Sequence, residues 1–420
     1  MKNLIALLIA AALLVTAGTV LSGCTAAQAE SISDTTQSLI ETLSTDTTET
    51  AASSAEAAAD TASAASAGDS GSDSVLDTGD IFTTRDLAQT ADTADAVSYT
   101  VESGKNITIT EAGIYIISGT ASNCTITVNT TDETAKVQLV LDGVNITNTD
   151  APAIYVVSAD KCLITTTNSE NVLSVSGTFT ADGDTNLDAV IFSKADLTLN
   201  GVGSLTVSST ANGITSKDDL RVTGGTYTIT AAKHGLEGKD SLAISGGTFT
   251  IEAAEDGLHS ENADDDTLGW IYLSGGTFQI TAGDDGIHST TVTQIDGGEF
   301  TISAAEGIEG TYIQINDGTL PIDASDDGIN ASAKSTAYEV VVELNGGTIT
   351  IVMGSGDTDA VDANGSIYVN GGTIDITGNS AFDYDVSGEL NGGTVTVNGS
   401  QITEMTNSMP GGMGGRGGRG

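Results

Sequence analysis

Carboxylates recur at matched places along this chain. Asp256, Asp285, Glu306 and Asp327 each stand directly before a Gly followed by Ile or Leu, and Asp359 continues the column ahead of Ala360 and Val361. Glu255, Asp284 and Asp326 form a second column one residue earlier. If these turns stack, neighbouring carboxylates lie about 4.8 Å apart, the spacing of adjacent strands. Such a stack repels itself unless cations intervene, and the chain has 57 Asp plus Glu against 13 Lys plus Arg, a net charge of −44. Calcium suits it: the ion takes roughly six to eight oxygens at about 2.3–2.6 Å, so two oxygens across one ion are about 4.8 Å apart. The metal expectation therefore falls on Asp256, Asp284, Asp285, Glu306, Asp326, Asp327 and Asp359. The same pattern also serves a solvated turn, because Asp is a good turn residue. The run Asp264, Asp265 and Asp266 is either a further calcium loop or a solvated one.

Three other groups could do chemistry. One position beyond the Gly-Ile pairs come Thr215, Glu237, His259, His288, Glu309 and Asn330. Its two histidines could ligate a transition metal from neighbouring turns, or lie as polar surface. Lys194, Lys217 and Lys239 recur before strand-like text, each followed by an acid: Asp196, Asp218 and Asp240. They read as a salt-bridge ladder, or Lys217 and Lys239 serve as a base beside calcium, removing a proton that the ion acidifies. Trp270 and Tyr272 alternate with Ile271 and Leu273, with Tyr312 and Tyr368 in the same two columns. Outward flat rings suit the apolar faces of sugars, although the insertion before Trp270 could fold over it. A threonine array (Thr226, Thr228, Thr248, Thr250, Thr348, Thr350, Thr394 and Thr396) offers a flat lattice or simply strand propensity.

These residues need an element that repeats. Gly-Gly, usually followed by Thr, starts at 224, 246, 275, 297, 346, 371 and 392, with Asp317-Gly318 filling the long gap. Hydrophobicity alternates on both sides, as in Leu220, Val222, Tyr227 and Ile229 and then Leu242, Ile244, Phe249 and Ile251. Period two means strands, and a unit of about 21 residues with two Gly turns is too short for a propeller blade. The expected fold is all-β, a right-handed parallel β-helix of about a dozen coils. Tyr227, Phe249, Phe278 and Phe300 then stack in one inward column, and Ile229, Ile251, Ile280 and Ile302 in another. Residues 80–100 are the expected cap of the open first coil.

The ends differ from the repeat. Lys2, the apolar run Leu4 to Val20, and Leu21, Ser22, Gly23 and Cys24 have the form of a secretory signal. The last four resemble the bacterial lipobox, which implies lipid attachment at Cys24, an extracytoplasmic position and a membrane tether at the cell surface. The expected divisions are 1–24 signal, 25–78 disordered acidic tether, 79–404 β-helix, and 405–420 a Gly/Arg tail. Cys124 and Cys162 lie in strand text, as small buried residues or as a pair. The charge excludes a nucleic-acid partner, since phosphate binding needs basic clusters. A monomer is expected.

Two segments, Ser216 to Thr230 (SKDDLRVTGGTYTIT) and Gly238 to Ile251 (GKDSLAISGGTFTI), resemble a family of bacterial secreted proteins, the parallel β-helix carbohydrate-binding domains. The resemblance covers about 100 to 400. It implies a lyase-like architecture, binding of cellulose and acidic pectin-like polysaccharide, and calcium at Asp256, Asp285 and Asp327. The chain departs from the family pattern with His at 234 and Glu at 306. The expected function is a lipid-anchored, calcium-stabilised polysaccharide-binding protein. A pectate-type lyase and a structural, adhesive or ice-binding rod are the alternatives.

Overall fold

Short strands of period two cannot satisfy their backbone alone, so each pairs with its copy one repeat away. One coil runs Asp219–Val222, Thr226–Ala231 and Leu236–Gly238, and the next Ser241–Ile244, Thr248–Ala253 and Leu258–Ser260. All three strands pair in parallel and in register with their counterparts. The computed structural model describes residues 74–407 except 356 and 357; within them the strands form one 24-stranded and one 12-stranded sheet, and there is no helix. The large sheet supplies two faces of the solenoid and the small sheet the third. The fold is a parallel β-helix of about a dozen coils.

Side-chain alternation places the core inside the coils. In Thr248–Ala253 the residues alternate exposed and buried, so Phe249 and Ile251 turn inward. The aromatic column forms as the spacing requires: Tyr227, Phe249, Phe278 and Phe300 stack with centroids 5.2, 4.7 and 4.6 Å apart. The turn before each ring must be Gly. Gly247 has φ +120°, and a Cβ there would lie 3.0 Å from the Phe249 ring. Cys124 and Cys162 are buried and unpaired with one another, each a small core residue.

The chain before the first coil does not cap it as expected. Val97–Thr100 is the edge strand, paired with Gly113–Ser122. Residues 74–89 instead run back along one face as a strap. The Val75 and Leu76 amides donate to Gln314 Oε1 and Gln294 Oε1 at 3.2 and 2.9 Å, while Arg85 Nη2 reaches Gln138 Oε1 at 3.3 Å near the other end. The ordered chain therefore begins before residue 79, because Val75 and Leu76 bury their side chains against Ala243, Trp270, Tyr272 and Val292. Asp86 anchors the strap. Its carboxylate is fully buried, receives Thr198 Oγ1 at 2.6 Å and lies 3.3 Å from Lys161 Nζ. Burial disfavours its charge, but Lys161 and the hydrogen bonds of Thr198 and Thr83 outweigh this and hold its pKa below the usual carboxylate range. At the other end, Thr394–Val397 and Ser400–Ile402 fold back as an antiparallel hairpin, and Asn407 Nδ2 donates to the Tyr384 carbonyl at 2.6 Å, past the expected boundary at 404. The expected signal segment, Cys24, most of the expected tether and residues 408–420 of the expected Gly/Arg tail lie outside the described residues.

Candidate functional site

Two polar ladders run side by side on the third face. The first holds His234, Asp256, Asp285, Glu306, Asp327 and Asp359, linked by hydrogen bonds from each following Gly to the next acid's carbonyl. The second holds Thr215, Glu237, His259, His288, Glu309, Asn330, Asp362 and Asp383 in continuous register. The intervening Gly is a packing requirement: a Cβ on Gly257 would fall 2.4 Å from the Ile280 methyl. With the Gly pressed on the core, the acids on either side face outward. Asp284 and Asp326, by contrast, are exposed, so the earlier column separates from the ladder.

The ladders change character along their length. In the first half, acids meet histidines. Asp256 Oδ2 lies 2.7 Å from His259 Nδ1 and 3.1 Å from His234 Nδ1. His288 Nδ1 lies 2.6 Å from Asp285 Oδ2 and 3.1 Å from Glu309 Oε2, and Glu309 also takes Lys334 at 2.9 Å. Burial works against a charged imidazole at His288, but Asp285 and Glu309 push its pKa up to about 10. Burial and the flanking imidazoles lower His259 instead.

The second half has acids and no basic partner. Among the described residues no Lys, Arg or His forms an ion pair with Glu306, Asp327, Asp359, Asp362 or Asp383. Burial and the charges of Glu309, Asp285 and Asp327 raise Glu306 to about 7; burial and Asp327, Asp383 and Asp359 raise Asp362 to about 7. Two neutral oxygens there, Asn330 Oδ1 and Thr358 Oγ1, are buried with no hydrogen-bond partner among the described residues. Donors of this kind, all oxygen and short of positive charge, fit a hard divalent cation. Asp285, Glu306 and Glu309 also bring carboxylate oxygens within 4.8 Å of one another, as do Asp196, Asp218 and Asp219 on the strap side.

That last group corrects the expected lysine ladder. Lys194 Nζ donates to Thr185, Lys217 pairs with Glu237 at 2.8 Å, and Lys239 pairs with Asp264. Lys217 leans over the Phe192 ring of the preceding coil, 5.6 Å from its centroid. Asp196, Asp218 and Asp240 gather around Asp219, and the lysines that follow the same spacing take their ion pairs or hydrogen bonds elsewhere. Burial and neighbouring acids raise Asp196 to about 7 and Asp218 to about 6. Lys239, with its pKa raised chiefly by its hydrogen bond to Asp264, holds its proton firmly, which ill suits a general base.

The aromatic expectation is corrected as well. Trp270 and Tyr272 do point away from the coil core, but each is only 7 % exposed. The strap covers them: Val75 and Leu76 pack with both rings and Phe82 lies 6.3 Å from Tyr272, while Arg221 of the Asp219–Val222 strand sits 5.3 Å from the Trp270 ring centroid. Tyr312 is half-buried and donates to Glu343 at 2.9 Å; Tyr368 is half-buried near Ser387. An amphipathic covering segment is invisible to a period-two pattern, which tells inward from outward but not what lies over the outward side. What remains open is the threonine face, where Thr226, Thr228, Thr248 and Thr250 are exposed in register. At the first end of the ladders a cleft of about 490 Å³ is lined by Phe179, Asn186, Asp188, Thr210 and Lys233. Asp188 Oδ1 is buried there without a hydrogen-bond partner.

Sequence reasoning placed His234 only as a departure from the family pattern, and missed Asp362 and Asp383 as ladder members. The 32-residue step from Asp327 to Asp359 replaces Gly-Ile by Ala-Val and hides the register. The signal that finds them is the constant offset of three, from Asp359 to Asp362 and from Ser380 to Asp383.

A solenoid with an exposed threonine face and an acid-rich ladder defines a class of parallel β-helix that presents extended polar surfaces. The chain belongs to the family described as carbohydrate-binding domain-containing protein, whose model matches residues 103–380. A carbohydrate-binding domain-containing protein of Acetivibrio thermocellus is 40 % identical over 139 residues, 32 % of this chain and 47 % of the relative, so the chain spans about half that relative's length. A solved structure described as the polysaccharide lyase-like protein from C. thermocellum, a gadolinium derivative, is 33 % identical with a TM-score of 0.48, covering 54 % of this chain and 96 % of that one.

Proposed function

We propose that this protein is a lipid-anchored, cell-surface polysaccharide-binding protein whose second-half ladder holds calcium and through it binds acidic polymer. One observation carries the reading: Glu306, Asp327, Asp359, Asp362 and Asp383, with the unpartnered oxygens of Asn330 and Thr358, form an all-oxygen array with no basic side chain paired to it among the described residues. Calcium would neutralise these carboxylates and leave coordination positions for a uronate carboxylate. Without it, a chain of charge −44 repels a polyanion. Neutral cellulose has a different place, the exposed threonine face, whose row spacing of about 4.8 Å repeats regularly along the rod.

The test is retention on immobilised polygalacturonate and on cellulose, with calcium and with EGTA. EGTA is expected to abolish the first and leave the second. Unchanged polygalacturonate retention in EGTA refutes calcium bridging. The lyase alternative is read in the same samples: it requires an unsaturated uronide absorbing in the ultraviolet, and the engaged state of Lys217 and Lys239 predicts none.

A further inference from the structure

The first half of the ladders has a different donor chemistry. Where the column elsewhere carries acids, position 234 carries His, and it lands in the coil adjacent to Asp256 and His259. The His234 and His259 rings stack with centroids 4.0 Å apart and planes at 17°. Both Nδ1 atoms converge on one carboxylate oxygen, Asp256 Oδ2, at 3.1 and 2.7 Å. The three donor atoms all lie within 4.8 Å of one another. On a tetrahedral ion with bonds of about 2.0 Å, ligand atoms sit roughly 3.3 Å apart, so a small spreading of this triad admits one.

A second observation is independent of the first. Each ring turns its other nitrogen toward a second carboxylate: His234 Nε2 lies 3.2 Å from Glu255 Oε2, and His259 Nε2 lies 3.7 Å from Glu261 Oε2. The Glu255 carboxylate behind the far nitrogen of His234 fixes that ring and raises its basicity, the usual support of a metal-bound imidazole, while Glu261 adds negative charge from beyond hydrogen-bond reach of His259. Calcium does not explain the arrangement, because it takes oxygen ligands; two imidazoles and one carboxylate match a borderline ion of the zinc class. The site is reachable, since the His234 side chain is 19 % exposed whereas those of Asp256 and His259 are 5 % and 10 % exposed.

We infer that His234, Asp256 and His259 bind a divalent transition metal of the zinc class, with Glu255 and Glu261 as supporting carboxylates and the fourth position open to solvent on the His234 side. The site lies apart from the calcium ladder and takes Asp256 out of it. It does not rest on polysaccharide binding.

The full chain, stripped with EDTA and returned to a large excess of calcium, is titrated with Co²⁺ and then Zn²⁺. The expected result is the intense visible absorption of four-coordinate cobalt, bleached by one zinc per chain and indifferent to calcium. His234→Ala and His259→Ala each remove it; Glu255→Gln keeps the spectrum and weakens affinity by about tenfold or more; His288→Ala, one coil on, leaves it intact. Weak six-coordinate absorption, displacement by calcium, or a spectrum unchanged in His234→Ala overturns the assignment. Should His259→Ala fail to melt cooperatively in chelator, the more exposed His234→Ala decides alone. Polysaccharide retention is not read in this experiment, so its outcome is separate from the calcium reading.

Discussion

Replacing Asp86 by Ala should release the strap while leaving the solenoid folded. In the intact protein its carboxylate accepts from Thr198 and Thr83 and faces Lys161, whose side chain is only 7 % exposed. Removing one member of a buried ion pair costs about 3–5 kcal/mol, because the remaining charge stays desolvated. The apolar anchors Val75 and Leu76 oppose release with about 1.5–3 kcal/mol each. The loss is thus comparable to what holds the strap, and its 81–89 portion should open first. A change of 3–5 kcal/mol raises the open population by roughly 10²- to 10⁴-fold. Trypsin reads this directly, since Arg85 is the first Lys or Arg after Lys2. When opening is fast relative to cleavage, the rate of cutting follows the open population. The Arg85 cleavage rate, normalised to that of each unfolded chain, should rise by at least 10²-fold, and quenching of the single Trp, Trp270, should increase. Far-ultraviolet circular dichroism should not change. An unaltered normalised rate, with Trp270 still protected, would refute the claim that Asp86 holds the strap.

The other predictions concern the core and the ladders. Phe278→Ala opens a gap between Phe249 and Phe300 and should cost about 3–5 kcal/mol, read as a lowered unfolding midpoint; a loss below about 1 kcal/mol would mean the coils collapse onto the gap. In chelator, stability should fall as pH rises from about 5 to 8. Glu306, Asp196 and Asp362 have folded pKa values of about 7, above those of free carboxyls, so the folded state binds the extra protons and loses that advantage as pH passes through 7. His288, raised to about 10, acts in the same direction, its contribution being complete below the unfolded imidazole value and lost toward pH 10. Saturating calcium should flatten the slope between pH 5 and 8; thermal melts across that range check it, and an apo protein that gains stability with pH contradicts it.

Much of this protein is legible without coordinates, because a solenoid converts sequence period into spatial adjacency. Gly-Gly at steps of about 21 residues, with period-two text on either side, specifies strands and turns locally, and the parallel stack then has one consistent register. The aromatic ladder and the acids before Gly-Ile follow from that register alone. Three things do not. The strap makes contacts over 220 residues of separation, as between Ser74 and Gln294, and no local pattern announces them; it turns Trp270 and Tyr272 from an open platform into a covered core. Lys217 and Lys239 pair with Glu237 and Asp264 rather than with the acids that follow them, which spacing does not encode. The ladder divides into a histidine half and a carboxylate half only when the column at 234 to 359 and the column three residues on are brought face to face. Period determines which residues share a column. Which columns meet, and what covers them, depends on how each coil turns its corners and where the chain outside the repeat lies down.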